Sequence, residues 1–443
     1  MWSRCLAAAL AVSLGVSLAG CSRGTEVGPL IVEAKKYRDK GETKAAVIQL
    51  KNAIQHDGAN SAARILLADV YLDDGDAVSA EKELQRAAAL GGDGGQIALL
   101  LGKAMLMQGQ YDRLLGEIQP AAEPARRPLI LALRGNAQLG LGNPVAAREL
   151  FDEALKLDPA SPDALCGMAR LAIGANDAAG AHGYLDRALK ASPSSIDALR
   201  LRGDLHRAGG KPGEAMAAYQ TILRLRPANI QALVDVSNLH IDAGRLKEAR
   251  DMLGQAHKAA PGVVALLHSQ AMLDYREGKH KAARESLQKI LRELPDHMPS
   301  VLLAGAVESA LGANQQAEQH LQKFLGAYPR HVYASKMMAA LHLRNNAAGD
   351  ALALLRPLLL AHPEDVELLS LAGEANLRGR SFTQAAEFFE RAASLRPKAP
   401  GLHTGLALSR LGNGENGRAV AELERAAALD DSGDRAGLLL AMS

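Results

Sequence analysis

IDALRLRGDLHRAGGKPGEAMAAYQTILRLRPAN, residues 196–229, carries the pattern that decides the fold. Gly203, Gly210, Ala215, Tyr219 and Pro227 stand at positions 8, 15, 20, 24 and 32 of this stretch. Outward from it, Pro159, Pro193, Pro227, Pro261, Pro295, Pro329, Pro363 and Pro397 succeed one another every 34 residues, a period long enough for two antiparallel helices and a turn. Position 8 reads Gly135, Ala169, Gly203, Ser237, Ala271, Gly305, Ala339, Gly373 and Ala407, and position 20 is alanine from Ala147 to Ala419. Only small side chains let two helix backbones approach closely where they cross. At position 15, Gly142, Gly210, Gly244, Gly278, Gly312 and Gly414 supply the left-handed conformation that ends the first helix, and Asn176 and Asn346 tolerate it. Arg380 departs from the row, and Gly379 beside it is expected to take the role. Proline at position 32 stops the second helix and lets the chain reverse. Larger residues at position 24, such as Phe151, Leu185, Tyr219 and Phe389, fill the space between layers.

This unit resembles the tetratricopeptide repeat. The resemblance implies an all-α fold, a right-handed superhelical solenoid of antiparallel helix pairs whose stability is a sum of nearest-neighbour contributions. Three earlier units fit the same frame at 27–60, 61–94 and 95–127, with Gly58 and Gly92 in place of proline in the first two. In the third, Leu114 replaces the alanine of position 20 and the second helix runs into PAAEPARRP at 120–128. That segment should shorten the helix, and it marks either a bend between repeats 1–3 (27–127) and repeats 4–12 (128–433) or a degenerate repeat. Residues 434–443 begin a thirteenth unit in which Leu438, Leu439, Leu440 and Met442 would lie uncovered, as expected of a shortened chain rather than a polar cap.

The first 20 residues have one early positive charge and an apolar run from Cys5 to Leu18, too short to span a bilayer and typical of a secretory signal. Leu18-Ala19-Gly20-Cys21 resembles the lipobox of bacterial lipoproteins, which implies cleavage before Cys21, lipidation of its thiol and a tether over 21–26. Ser22, where an aspartate would imply inner-membrane retention, leans towards the periplasmic face of the outer membrane of a Gram-negative bacterium.

With 51 Lys+Arg against 49 Asp+Glu, the chain gives no electrostatic reason to expect nucleic acid. Loss of Cys5 and lipidation of Cys21 leave Cys166 alone among the three cysteines, which excludes a disulfide framework. No phosphate loop, zinc helix, paired-cysteine motif or nucleophile elbow is found, so no catalytic residue and no cofactor is expected. His206, His240 and His342 share position 11, with Asp274 and Glu308 between them. A metal ladder is the exciting reading; half-buried polar residues are preferred, because equivalents lie a whole repeat, roughly 10 Å, apart.

Function is expected on the groove lined by the first helices. By analogy with tetratricopeptide proteins, positions near 2, 5, 9 and 12 face it: Arg170, Arg200, Asp204, Arg207, Asn238, His268 and Tyr275, then Tyr333, Lys336, Glu374 and Arg378. Arg170, Arg200 and Arg207 read as a mixed-charge stripe for an extended acidic peptide or an anionic polysaccharide. The Lys/Asn clamp of chaperone-binding tetratricopeptide domains is not reproduced.

EAKKYRDKGETKAAVIQLKNAIQHDGANSAARILLADVYLDDGDAVSAEKELQRAAALG (33–91), LLAGAVESALGANQQAEQHLQKFL (302–325) and LLSLAGEANLRGRSFTQAAEFFERAASLRP (368–397) resemble the PEP-CTERM system tetratricopeptide-repeat lipoproteins. The resemblance implies a lipid-anchored, non-catalytic scaffold that binds protein partners in exopolysaccharide export or exosortase-linked surface-protein sorting. The alternatives are the repeat arm of a larger envelope enzyme such as a glycosyltransferase, or a lipoprotein of another envelope assembly machine.

Overall fold

Position 15 makes the first corner of every unit. In the repeat quoted above, Ile196–Ala208 forms the first helix, Gly210 takes φ +70°, and Pro212–Leu225 forms the second. The turn closes with Gly210 N–H donating to Arg207 O at 3.1 Å and Lys211 N–H to His206 O at 2.8 Å, the paired bonds by which a left-handed residue satisfies a helix's last carbonyls. Arg380 makes the same turn itself, at φ +58°, while Gly379 stays at φ −77°. The expectation for Gly379 is therefore corrected. The turn fixes which residue carries the positive φ: Arg380 N–H must reach Leu377 O and Ser381 N–H must reach Asn376 O, and a shift by one residue would break both bonds.

In this computed structural model, residues 27–120, 123–259 and 262–429 are described. The signal segment with its tether and Cys21, Pro261 and the residues from 430 on lie outside them. The described residues form 24 helices and no strand. The proline-rich segment follows the shortest helix, Tyr111–Glu117, seven residues where the second helices of other units have 13 or 14. By its contacts the chain divides into two compact units between Asn229 and Ile230, the junction of the sixth and seventh repeats, whereas the sequence reading drew its boundary at 127/128.

Within each unit, first helices pack against the first helices of neighbouring repeats, and second helices pack against their own first helix and the next one. First helices thus make an inner layer and second helices an outer one. What allows this spacing is the pair of small-residue rows: Ala34, Ala68, Ala169 and Ala339 at position 8 are fully buried, as are all the alanines at position 20. Into the gap goes position 24, and here size is matched across the helix pair. Phe151, Tyr219 and Phe389 each face glycine, at Gly135, Gly203 and Gly373; a Cβ there would stand 2.5, 2.4 and 2.9 Å from the ring. Leu185, Leu287 and Leu355 face Ala169, Ala271 and Ala339, and Leu321 faces Gly305. Each such side chain is at most 4% exposed, worth roughly 1.5–3 kcal/mol of apolar burial apiece.

Unit 1 carries one contact that the repeat pattern does not foretell. Arg226, at the end of the sixth repeat, places Nη1 3.0 Å from Asp73 Oδ1, 153 residues earlier. Arg38 holds the other oxygen of Asp73 at 2.7 Å. Asp73 sits near a first-to-second helix turn and Arg226 near a repeat-to-repeat turn, which are opposite edges of the helical ribbon. The first two repeats therefore return edge to edge against the sixth.

Candidate partner-binding groove

The inner layer exposes the positions that the repeat frame assigned to a groove, and the structure decides which of their charges remain available. In unit 1, Arg170 donates Nη1 to Asn136 Oδ1 at 3.1 Å and Nη2 to both oxygens of Asp197, at 2.5 and 2.7 Å. It joins three successive repeats and is neutralised there. Asp204 accepts from the hydroxyl of the buried Tyr219 at 2.6 Å. Arg200 and Arg207 are exposed, so the expected stripe of three arginines keeps two with exposed side chains. Asn238, in unit 2, is half-buried, its Oδ1 shielded from water without a hydrogen-bond partner.

In unit 2, His268 and His297 both place Nδ1 on the buried Ser300 hydroxyl, at 3.0 and 2.8 Å, with their rings edge to face at 5.7 Å. Burial and the neighbouring His297 push the His268 imidazole down to about 4. Lys336, 13% exposed, donates to Asp365 at 2.8 Å and Glu367 at 2.9 Å. Burial works against its charge, but the two carboxylates win and hold the ammonium above its ordinary value. Glu374 accepts from Arg378 Nε at 3.0 Å and Nη2 at 2.8 Å, and Arg378 also caps Leu343 O at 3.0 Å. Tyr275 and Tyr333 line one open cavity together with Met337, Arg344 and Glu374. Burial and the hydroxyl of Tyr275 raise the Tyr333 phenol above its usual range.

The structure therefore brings Tyr275, Tyr333 and Glu374 together and ties Arg170, Asp204, Lys336 and Arg378 into the scaffold. Sequence reasoning missed the partners Asn136 and Asp365, and it missed Arg276 and Arg344. A signal for the last two exists: with Arg378 they share position 13, one residue beyond the positions the analogy selected.

Residues at position 11 are half-buried or buried polar groups, several with partners of their own. His206 Nδ1 lies 2.8 Å from Glu214, His240 Nδ1 accepts from Arg245 Nε at 3.0 Å, and Glu308 is gripped by Arg284. Among the described residues no group of three or more His, Cys, Asp or Glu side chains is placed to hold a metal ion. Cys166 is 1% exposed, and burial pushes its thiol well above the ordinary range. No helix of the described residues is long and apolar enough to cross a membrane.

Three family models described as tetratricopeptide repeat match the chain, one over 166–230 and 336–400, one over 37–104 and 206–272, and one over 128–171. Together they span well over half of it. The type IV pilus assembly protein PilF of Pseudomonas aeruginosa is 26% identical over 181 residues, 37% of this chain and 71% of that protein. Among solved structures, the APC/C hetero-tetramer Cut9-Hcn1 aligns over 94% of this chain and 96% of its own at 16% identity and a TM-score of 0.45. The type IV pilus biogenesis factor PilW aligns over 46% and 94% at 19% identity and a TM-score of 0.40.

Proposed function

Because this chain is a tetratricopeptide-repeat protein, and so of a kind that serves protein interaction, we propose that it is a non-catalytic scaffold of the Gram-negative cell envelope, anchored by lipid on Cys21. On this reading it docks proteins of exopolysaccharide export or PEP-CTERM/exosortase surface-protein sorting along its inner helix layer, from the periplasmic face of the outer membrane. An anionic polysaccharide is a secondary ligand of the exposed arginines. The observation that carries the reading is the division of labour within each repeat. The helices pack through buried small and apolar positions, 8, 20 and 24 among them, which lets inner-layer positions such as those of Arg207, Tyr333 and Arg344 stay exposed and carry arginine and tyrosine at little cost to the stack.

Cross-linked pull-down from an envelope extract tests it: export or sorting proteins should come down with the full chain, and recovery of no envelope protein would sink the proposal. Labelling with a radioactive fatty acid, comparing the native chain with Cys21→Ser, tests the anchor separately. Equal labelling of both would remove it.

A second reading, assembly of a type IV pilus, is supported by the similarity to PilF over 71% of that protein. Deleting the gene distinguishes the two. Loss of surface pili with normal exopolysaccharide favours the second reading, and the converse favours the first.

A further inference from the structure

In unit 2 the inner layer opens into a cavity of about 450 Å³ formed by first helices of the eighth to eleventh repeats. Its floor is apolar and mostly small, with Ala306, Ala310, Ala340 and Met337. Tyr275 and Tyr333 border it, and Tyr333 is 53% exposed.

Charge around this floor is unbalanced. Arg344 lines the cavity, and Arg276 lies close enough to Tyr333 to act electrostatically on its hydroxyl. Both arginines are exposed. The guanidinium of Arg344 donates only to the hydroxyl and carbonyl of Ser309, both neutral, and Arg276 has no carboxylate partner among the described residues. The carboxylates nearby are already taken: Glu374, which lines the cavity, is bound by Arg378, and Glu367, which acts on the Tyr333 hydroxyl as Arg276 does, is bound by Lys336. Two guanidiniums without counter-charge therefore flank an apolar floor edged by tyrosine. A purely anionic polymer would leave the floor unused, and a purely apolar ligand would leave the guanidiniums unpaired. A ligand offering both carboxylates and an apolar group satisfies the whole site.

We infer that this cavity docks an extended acidic segment of a partner protein, seating one apolar or aromatic side chain on Ala306, Ala340 and Met337 with flanking carboxylates on Arg276 and Arg344. The inference rests on the scaffold reading and deepens it by naming the partner's chemistry and the place it binds.

The probe is a short fluorescein-labelled synthetic peptide, a central tryptophan flanked by glutamates, titrated with the full chain and followed by polarisation. Binding should weaken with added salt. Arg344→Glu and Met337→Glu should each weaken it by about tenfold or more, while Lys289→Glu, on an exposed second-helix face of the same unit, changes it less than about twofold. Far-UV circular dichroism and melting confirm that the variants fold; Tyr333→Ala, at a half-exposed site, should weaken binding and stands in if Met337→Glu does not fold. The inference is overturned if the peptide does not bind, if Arg344→Glu binds as tightly as the native chain, if a peptide with lysines in place of glutamates binds equally, or if polygalacturonate displaces the probe and binds as well to Met337→Glu as to the native chain. If Arg344→Glu and Met337→Glu still recover the native set of envelope proteins in the pull-down, this site falls and the scaffold reading stands.

Discussion

Replacing Gly135 by alanine sets two magnitudes against each other. In a helix interior the change removes the entropic cost of glycine and gains about 1 kcal/mol. Against this, the added Cβ would stand 2.5, 2.8 and 2.9 Å from three atoms of the Phe151 ring, where carbon pairs ordinarily rest at about 3.5–4.0 Å. The ring has little room to retreat: it is fully buried, and a Cβ at Gly167 of the next first helix would approach the same ring atoms to 2.3 Å. Overpacking of this kind costs about 1–3 kcal/mol, and three close ring atoms place it near the upper end. The expected net effect is a loss of about 2 kcal/mol. Urea denaturation followed by circular dichroism measures it. Adding Phe151→Leu recreates the pairing of Ala169 with Leu185, so the double variant should recover about 1–3 kcal/mol relative to the sum of the single changes. If Gly135→Ala stabilises the protein by its helix propensity alone and the two changes are additive, the size matching between positions 8 and 24 is wrong.

At Arg380, a non-glycine residue held at φ +58°, replacement by glycine should raise stability by about 1 kcal/mol; unchanged or lowered stability on denaturation would show that the side chain contributes more than the backbone strain. His268, held down to about 4 in the folded state, takes up its proton near 6.5 when unfolded. Its contribution is present above about pH 6.5 and lost as the pH falls towards 4, so between these values the native chain should lose about 1–3 kcal/mol more than His268→Gln. Identical pH slopes for the two would rule this out. In unit 1, Arg226→Lys treated with a carbodiimide should yield a cross-linked peptide joining residues 226 and 73, given the 3.0 Å approach; mass spectrometry that recovers only unlinked peptides would show that the first repeats do not return against the sixth.

The fold was legible because its determinants recur at fixed spacing. Small residues at positions 8 and 20, the corner at 15 and the filler at 24 each act within one repeat or on its neighbour, so a row of residues reports a contact directly. Arg380 was misjudged because residue type outweighed register, whereas the hydrogen bonds of the turn depend on register alone. Which residues line the inner layer was legible, and their chemistry only partly. Arg170 pairs with Asp197 across 27 residues, and Lys336 with Asp365 and Glu367 across 29 and 31, so these bonds join different positions of the repeat and leave no mark in any single row. The cavity escaped notice because Ala306 and Ala340 have the composition of core residues, and the partial exposure of Ala340 depends on how neighbouring first helices diverge.

Site-specific photo-cross-linking in living cells tests most directly whether the inner layer is the working face. A benzophenone amino acid replaces Tyr333 on the inner layer, or Lys289, which is exposed on a second helix of the same unit. Reproducible adducts to an envelope protein from position 333 and none from 289 are the predicted result. Adducts from 289 with none from 333 would contradict the account.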